Sequence, residues 1–267
     1  MVDFGRTQDD YARFRAGFPP RLFQDLERRG LATPGVRALD LGTGTGTLAL
    51  GLARRGLHVT GLDVAAGMVA SAKAQAEAQR LDVAFLEAPA EHTGLPDAAF
   101  ELVTAGQCWH WFDRPAAARE CRRVLTPGGH LVIVHLDWLE VPGGVVALTL
   151  QTLADHGTGF PASVTALAWE GMYPAWTRDA REAGFEDLET FSFDLELPYS
   201  HEAWRGRIRA SAAVGAVLAP DAVARLDADL AARLAGWPEV LQLPHRVWGL
   251  IARAPAKNLG TDSPPRH

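Results

Sequence analysis

Three short stretches carry residue types that can do chemistry. In "LDLGTGTGTL" (39–48) a carboxylate, Asp40, stands two residues before the glycines Gly42, Gly44 and Gly46, with Thr43 between the first two. Glycines let a chain turn tightly and approach a ligand without a Cβ in the way. An anion beside such a turn suits a cationic ligand better than a pyrophosphate. Asp63 closes the run "HVTGLD" (58–63) about 20 residues beyond Gly42, where an acidic residue can accept bonds from ribose hydroxyls. The third stretch, "AGQCWHWFDRP" (105–115), sets Gln107, Cys108, Trp109, His110 and Trp111 side by side. The two tryptophans flank His110, so one ring is expected on the core and the other along a ligand pocket, where a π face attracts a cation. His110 admits three roles: a structural histidine bonded to backbone, a donor that orients a substrate, or a general base. No second ligand stands at helical or hairpin spacing from it, which argues against a metal. Cys108 and Cys121 lack the partner a nucleophilic thiol needs and read as structural.

These residues act together only if the chain delivers them to one place. "VRALDL" (36–41), "HVTGLD" (58–63), "DVAFLEA" (82–88), "FELVTAG" (100–106) and "HLVIVHL" (130–136) read as strands. Helical patterns follow them, including 65–81 and 115–125, the latter closed by a turn at "TPGG" (126–129). Alternation of strand and helix predicts a doubly wound, mostly parallel sheet covered on both faces. In such a sheet, ligands sit beyond the carboxyl ends of the strands, where all three stretches fall. After residue 137 the rhythm breaks. A strand is expected over 185–199, helices over 200–236 and a last strand over 245–253.

The dinucleotide fingerprint G-x-G-x-x-G requires a third glycine at 47 or 49, and Thr47 and Ala49 stand there. The order of motifs instead resembles the class I S-adenosylmethionine-dependent methyltransferases over roughly residues 10–136 and the final strand. "LDLGTGTGTL" resembles their first motif, with Asp40, Gly42, Thr43 and Gly44 in the loop that binds the cofactor. "GLDVAAGMV" resembles the second, which implies Asp63 on the ribose, Val64 beside it and Met68 against the adenine. "APAEHTGLPDAAFELV" resembles the third, with Ala90 and Glu91 flanking the adenine. "AGQCWHWFD" falls at the fourth, which places Gln107 and Trp109 at the cofactor and His110 as the candidate catalytic residue. "RVLTPGGHLVI" resembles the segment before the fifth strand. Ala65 departs from the serine that many members carry. "DYARFRAGFPPRLF" resembles a small-molecule subgroup that includes trans-aconitate methyltransferases, which implies Tyr11 and Arg15 at the methionine carboxylate or the substrate.

The implied fold is a Rossmann-like seven-stranded sheet with an antiparallel last strand and helical cap insertions. The expected organisation is an N-terminal lid and first helix (1–35), a cofactor core (36–137), a substrate cap with the sixth strand (138–240), the last strand (241–254) and a disordered tail (255–267). The expected function is methyl transfer from S-adenosyl-L-methionine to an oxygen or nitrogen of a small molecule, a carboxylate among the options. Arg205 and Arg209, four apart on one helical face, are either a solvated basic face or a clamp for an acidic acceptor. Trp138, Phe160, Trp169, Tyr173, Trp176 and Trp204 are candidates for an apolar lid or for core packing.

Three other readings remain open: an RNA or protein methyltransferase, an NAD(P)-dependent oxidoreductase and a cofactor-binding regulator without catalysis. A net charge of −6 weighs against a grip on nucleic acid. The failed third glycine weighs against the oxidoreductase. With 267 residues, 48% of them apolar, the chain has ample material for a core. Two cysteines, no signal-like N-terminal run and no apolar run of about 20 residues lead to the expectation of a cytoplasmic protein off the membrane.

Overall fold

The computed structural model describes residues 17–160, 170–211, 213–215 and 217–256. The helices are α1 (Pro20–Arg28), α2 (Thr47–Ala53), α3 (Ala66–Ala78), α4 (Arg114–Val124), α5 (Val145–Asp155), α6 (Trp176–Glu182), α7 (His201–Arg209) and α8 (Pro220–Leu234). The strands are β1 (Arg37–Leu41), β2 (His58–Asp63), β3 (Val83–Glu87), β4 (Phe100–Gly106), β5 (Leu125–Trp138), β6 (Glu186–Ser200) and β7 (Val240–Arg253). They form one sheet in the order β3-β2-β1-β4-β5-β7-β6. The pairs β3–β2, β2–β1, β1–β4 and β4–β5 are parallel. β7 runs against β5: Ala254 N–H donates to Gly129 O at one end, and Leu139 N–H to Pro244 O at the other. It runs against β6 as well, with Arg253 on Asp187 and Arg246 on Asp194, both at 2.7 Å.

Several boundaries differ from expectation. "TPGG" is not a free turn, because the chain passes from α4 straight into β5 at Leu125, which pairs with Phe100 before a register shift. β7 begins at Val240, five residues ahead of the strand pattern at 245 and next to the expected boundary at 241. The helical region after 200 is two helices. The expected tail lies, from residue 257, outside the described residues.

The chain divides into two units. Among the described residues, one comprises Pro19–Val134, Ala175–Phe191 and 249–256. Its centre is built on β1 and β4, whose Leu39, Leu41, Val103 and Ala105 are fully buried, as the continuous apolar runs of interior parallel strands require. α2 packs closely: a Cβ on Gly51 would overlap the Phe23 ring of α1. The other unit comprises His135–Pro174 and Ser192–Trp248. α5, α7 and α8 enclose its core of Trp204, Ile208, Leu226, Leu230 and Leu234. Trp204 is spent there, donating its indole N–H to Thr149 Oγ1 at 2.9 Å. Tyr173 and Trp176 are also core residues rather than lid residues, and Trp169 lies outside the described residues. Among the described residues, no helix is long and apolar enough to cross a membrane.

Helix propensity alone would make Gly51→Ala stabilising by about 1 kcal/mol. The overlap with Phe23 dominates, at about 1–3 kcal/mol of overpacking. Chemical denaturation of Gly51→Ala is expected to show a net loss of stability, and a gain would show that the Phe23 contact is loose.

Candidate functional site

The parallel register fixes the site. Asp40 lies opposite Thr104 of β4 and Gly61 of β2. Its carboxylate is buried and accepts from Thr104 Oγ1 and Thr43 Oγ1, both at 2.7 Å. Burial raises its pKa to about 6. The Thr43 and Thr104 hydroxyls and the Ala49 N–H pull it down, and the Asp63 charge adds to the rise. Asp40 thus touches both the loop and the start of α2 and ties the two together.

The loop from Gly42 to Gly46 is left-handed at each of its glycines. The two sides of this loop differ. A Cβ on Gly42 would meet Cys108 at 2.9 Å and Phe112 at 3.1 Å, whereas nothing stands within 4 Å of one on Gly44. Gly42 is therefore required by packing, and Gly44 leaves an open approach to the backbone. Thr43 N–H donates to Leu62 O at 2.8 Å, which ties the loop to the end of β2. Asp63 locks it from the other side: its Oδ2 accepts from Gly44 N–H and its Oδ1 from Ala65 N–H, both at 2.9 Å. A carboxylate holds further lone pairs after two such bonds, so Asp63 can still receive hydroxyl donors. Val64 is exposed beside it, while Met68 on α3 is buried.

Ala90 is buried after β3. Glu91 does not point freely at a ligand; its Oε1 accepts Asp113 N–H at 2.8 Å, linking this loop to the start of α4. Gln107 takes φ +58 at the end of β4, a strained conformation for a residue with a side chain, and its N–H donates to Val134 O at 2.9 Å. Trp109, His110 and Trp111 form a single 3-10 turn. Trp109 is the core ring: it is 0% exposed and gives its indole N–H to Asp179 Oδ2 at 3.0 Å. Its ring is therefore part of the core here, where the resemblance implied a place at the cofactor. Trp111 is the ring at the surface, at 43% exposure, with the part-buried His110 ring 4.6 Å from it. Tyr11 and Arg15 lie outside the described residues.

The supporting residues were hidden in the sequence. Asp179 also faces Arg114 at 3.4 Å, and burial raises its pKa. Glu120 accepts from Thr93 N–H and hydroxyl at 2.8 and 2.6 Å and from Arg123 at 2.7 Å. Arg123 and Thr93 hold Glu120 down at about pKa 2, and the network anchors the loop after Glu91. Thr104 alone left a trace, as the one hydroxyl in the apolar run of β4. Cys108 donates its thiol to Leu41 O at 3.1 Å, and Cys121 is buried with its pKa raised by burial.

Comparison with known proteins bears on the same part of the chain. Residues 39–133 match a family model described as a methyltransferase domain. The chain is 46% identical over 118 residues to a demethylmenaquinone methyltransferase of Thermus thermophilus, covering 43% of this chain and 53% of that one. It is 35% identical over 105 residues to a ubiquinone biosynthesis O-methyltransferase of Alkalilimnicola ehrlichii, covering 39% and 42%. The chain thus spans about half the length of these curated relatives. A structure from Anaeromyxobacter dehalogenans, described as a type II methyltransferase, superposes with a TM-score of 0.58 at 28% identity, over 91% of this chain and 98% of that one. The glycine loop thus lies inside the part of the chain that matches a methyltransferase domain.

Proposed function

We propose that the protein transfers a methyl group from S-adenosylmethionine to an oxygen or nitrogen of a small molecule. The observation that supports this most is the junction of β1, β2 and the loop, where an open backbone at Gly44, Asp63 with lone pairs to spare and the buried Asp40 carboxylate meet. Such a junction fits a ligand with a ribose and a positive charge. In this reading residues 36–137 hold the cofactor, 138–240 serve the acceptor and 241–254 complete the sheet.

Bound S-adenosylmethionine would supply a sulfonium methyl that an acceptor lone pair could take in line, sulfur keeping the carbon–sulfur pair as a thioether. Asp63 receives ribose hydroxyls, Val64 and Met68 border the base, and Asp40 keeps a negative charge in a dry place. His110 orients the acceptor when that acceptor is already anionic, and takes its proton when it is a phenol or an amine. The quinone-biosynthesis relatives favour a small-molecule acceptor over RNA or protein.

Turnover to S-adenosylhomocysteine with small carboxylic acids and phenols tests the reading, and a folded protein that turns over neither class contradicts it. With a carboxylate acceptor, His110→Ala should raise KM and leave kcat nearly unchanged. With a phenol it should lower kcat by about a hundredfold.

The pH dependence of binding gives a second test. The folded pKa of Asp40, about 6, lies above that of an unfolded carboxylate. Its contribution to the stability of the free protein is therefore complete below the ordinary carboxylate range and lost as pH rises through about 6. A bound cation favours the ionised form and reverses that trend. Affinity for S-adenosylmethionine should fall about tenfold from pH ~7.5 to ~5, and the slope should flatten in Asp40→Asn.

A further inference from the structure

The segment that lies on the glycine loop is poorly held by its own sequence. Gln107 enters it at φ +58, a strained conformation that persists only where surrounding contacts enforce it. The 3-10 turn Trp109–Trp111 has no side-chain cap. Its backbone bonds are Trp111 N–H to Cys108 O at 2.8 Å and a long one, Phe112 N–H to Trp109 O, at 3.4 Å. Short 3-10 turns have poor hydrogen-bond geometry and add little stability of their own. Yet this segment presses directly on the first glycine of the loop. A Cβ on Gly42 would meet Cys108 Cβ at 2.9 Å, Cys108 Sγ at 3.0 Å and the Phe112 ring at 3.1 Å.

A residue distant in sequence supplies the anchor. α6 packs on α4 and brings Asp179 to the turn with 9% exposure. Asp179 Oδ2 accepts the indole N–H of the fully buried Trp109 at 3.0 Å, and Arg114 stands 3.4 Å from the same oxygen. Trp109 passes the constraint on, since its ring meets Phe112 edge-on with 5.8 Å between centres. The path therefore runs Asp179, Trp109, Phe112, Gly42, and all four residues lie in one unit. Without the accepting oxygen a buried indole N–H is left unbonded, which favours displacement of Trp109 and of the turn built on it.

We propose that Asp179 is a positioning residue for the glycine loop: it holds Trp109 and so keeps Phe112 and Cys108 seated on Gly42. This deepens, and rests on, the reading of that loop as the S-adenosylmethionine site. Asp179 acts through its accepting oxygen rather than through its charge. An amide in its place keeps the role, and an apolar side chain of similar size loses it.

The test combines hydrogen–deuterium exchange with calorimetric titration of S-adenosylhomocysteine, on the full chain, in wild type, Asp179→Leu, Asp179→Asn and Trp109→Phe. The Thr43, Gly44 and Gly46 amides donate to Leu62 O, Asp63 Oδ2 and Thr43 O, so the peptide that carries them reports loop order without any ligand. Asp179→Leu is expected to speed exchange of that peptide by about tenfold or more, to leave α1 unchanged and to weaken S-adenosylhomocysteine about tenfold. Asp179→Asn stays within about threefold of wild type in both readouts. Trp109→Phe keeps the ring, loses the N–H and matches Asp179→Leu, and the double variant is no worse than either single one. If Asp179→Leu fails to fold, Trp109→Phe and Asp179→Asn decide. Unchanged loop exchange in Trp109→Phe, additive losses in the double variant, or a loss in Asp179→Asn as large as in Trp109→Phe overturns the proposal. Failure of wild type to bind S-adenosylhomocysteine would instead overturn the cofactor reading, while loop exchange still reports on Asp179.

Discussion

The site depends on one buried carboxylate. Asp40 sits at the end of an interior strand, where an ionised group survives only if its neighbours solvate it. The register of β1 against β4 brings the Thr104 hydroxyl to one oxygen, and the turn after β1 brings Thr43 to the other. That turn is possible because Gly42 accepts the close approach of Cys108 and Phe112 from the segment after β4. The loop, the two strands and the Cys108–Phe112 segment therefore hold one another. Loss of any one of them loosens the support of this charge.

Much of this was legible in the sequence. β2 and β4 fall on the expected residues because their apolar runs are bounded by glycine and polar residues. Asp40, Gly42, Gly44 and Asp63 come together as their spacing implied, since short parallel strands leave little freedom in where the turns after them lie. The start of β5 was obscured because "TPGG" is turn-like in isolation and becomes strand only by pairing across the sheet.

Side-chain direction was harder to read. Trp109 and Trp111 are equivalent in composition. What separates them is Asp179, distant in sequence and waiting to accept an indole N–H. Glu91 reads as a ligand residue by position, yet its carboxylate caps Asp113 N–H. In α7 the spacing of Arg205 and Arg209 drew attention to a pair that the helix and Asp227 neutralise. Pairing in three dimensions decides which charges remain for a ligand, and a one-dimensional pattern does not contain it.

The central claim is that the Gly42–Gly46 loop and Asp63 form a nucleoside site for S-adenosylmethionine. The most direct measurement is a calorimetric titration of S-adenosylhomocysteine, with NADH as the control, into wild type and Asp63→Ala. Binding in the micromolar range for the first ligand alone, lost in the variant, is the result this structure predicts. Binding of NADH instead, or S-adenosylhomocysteine binding untouched by Asp63→Ala, would contradict it.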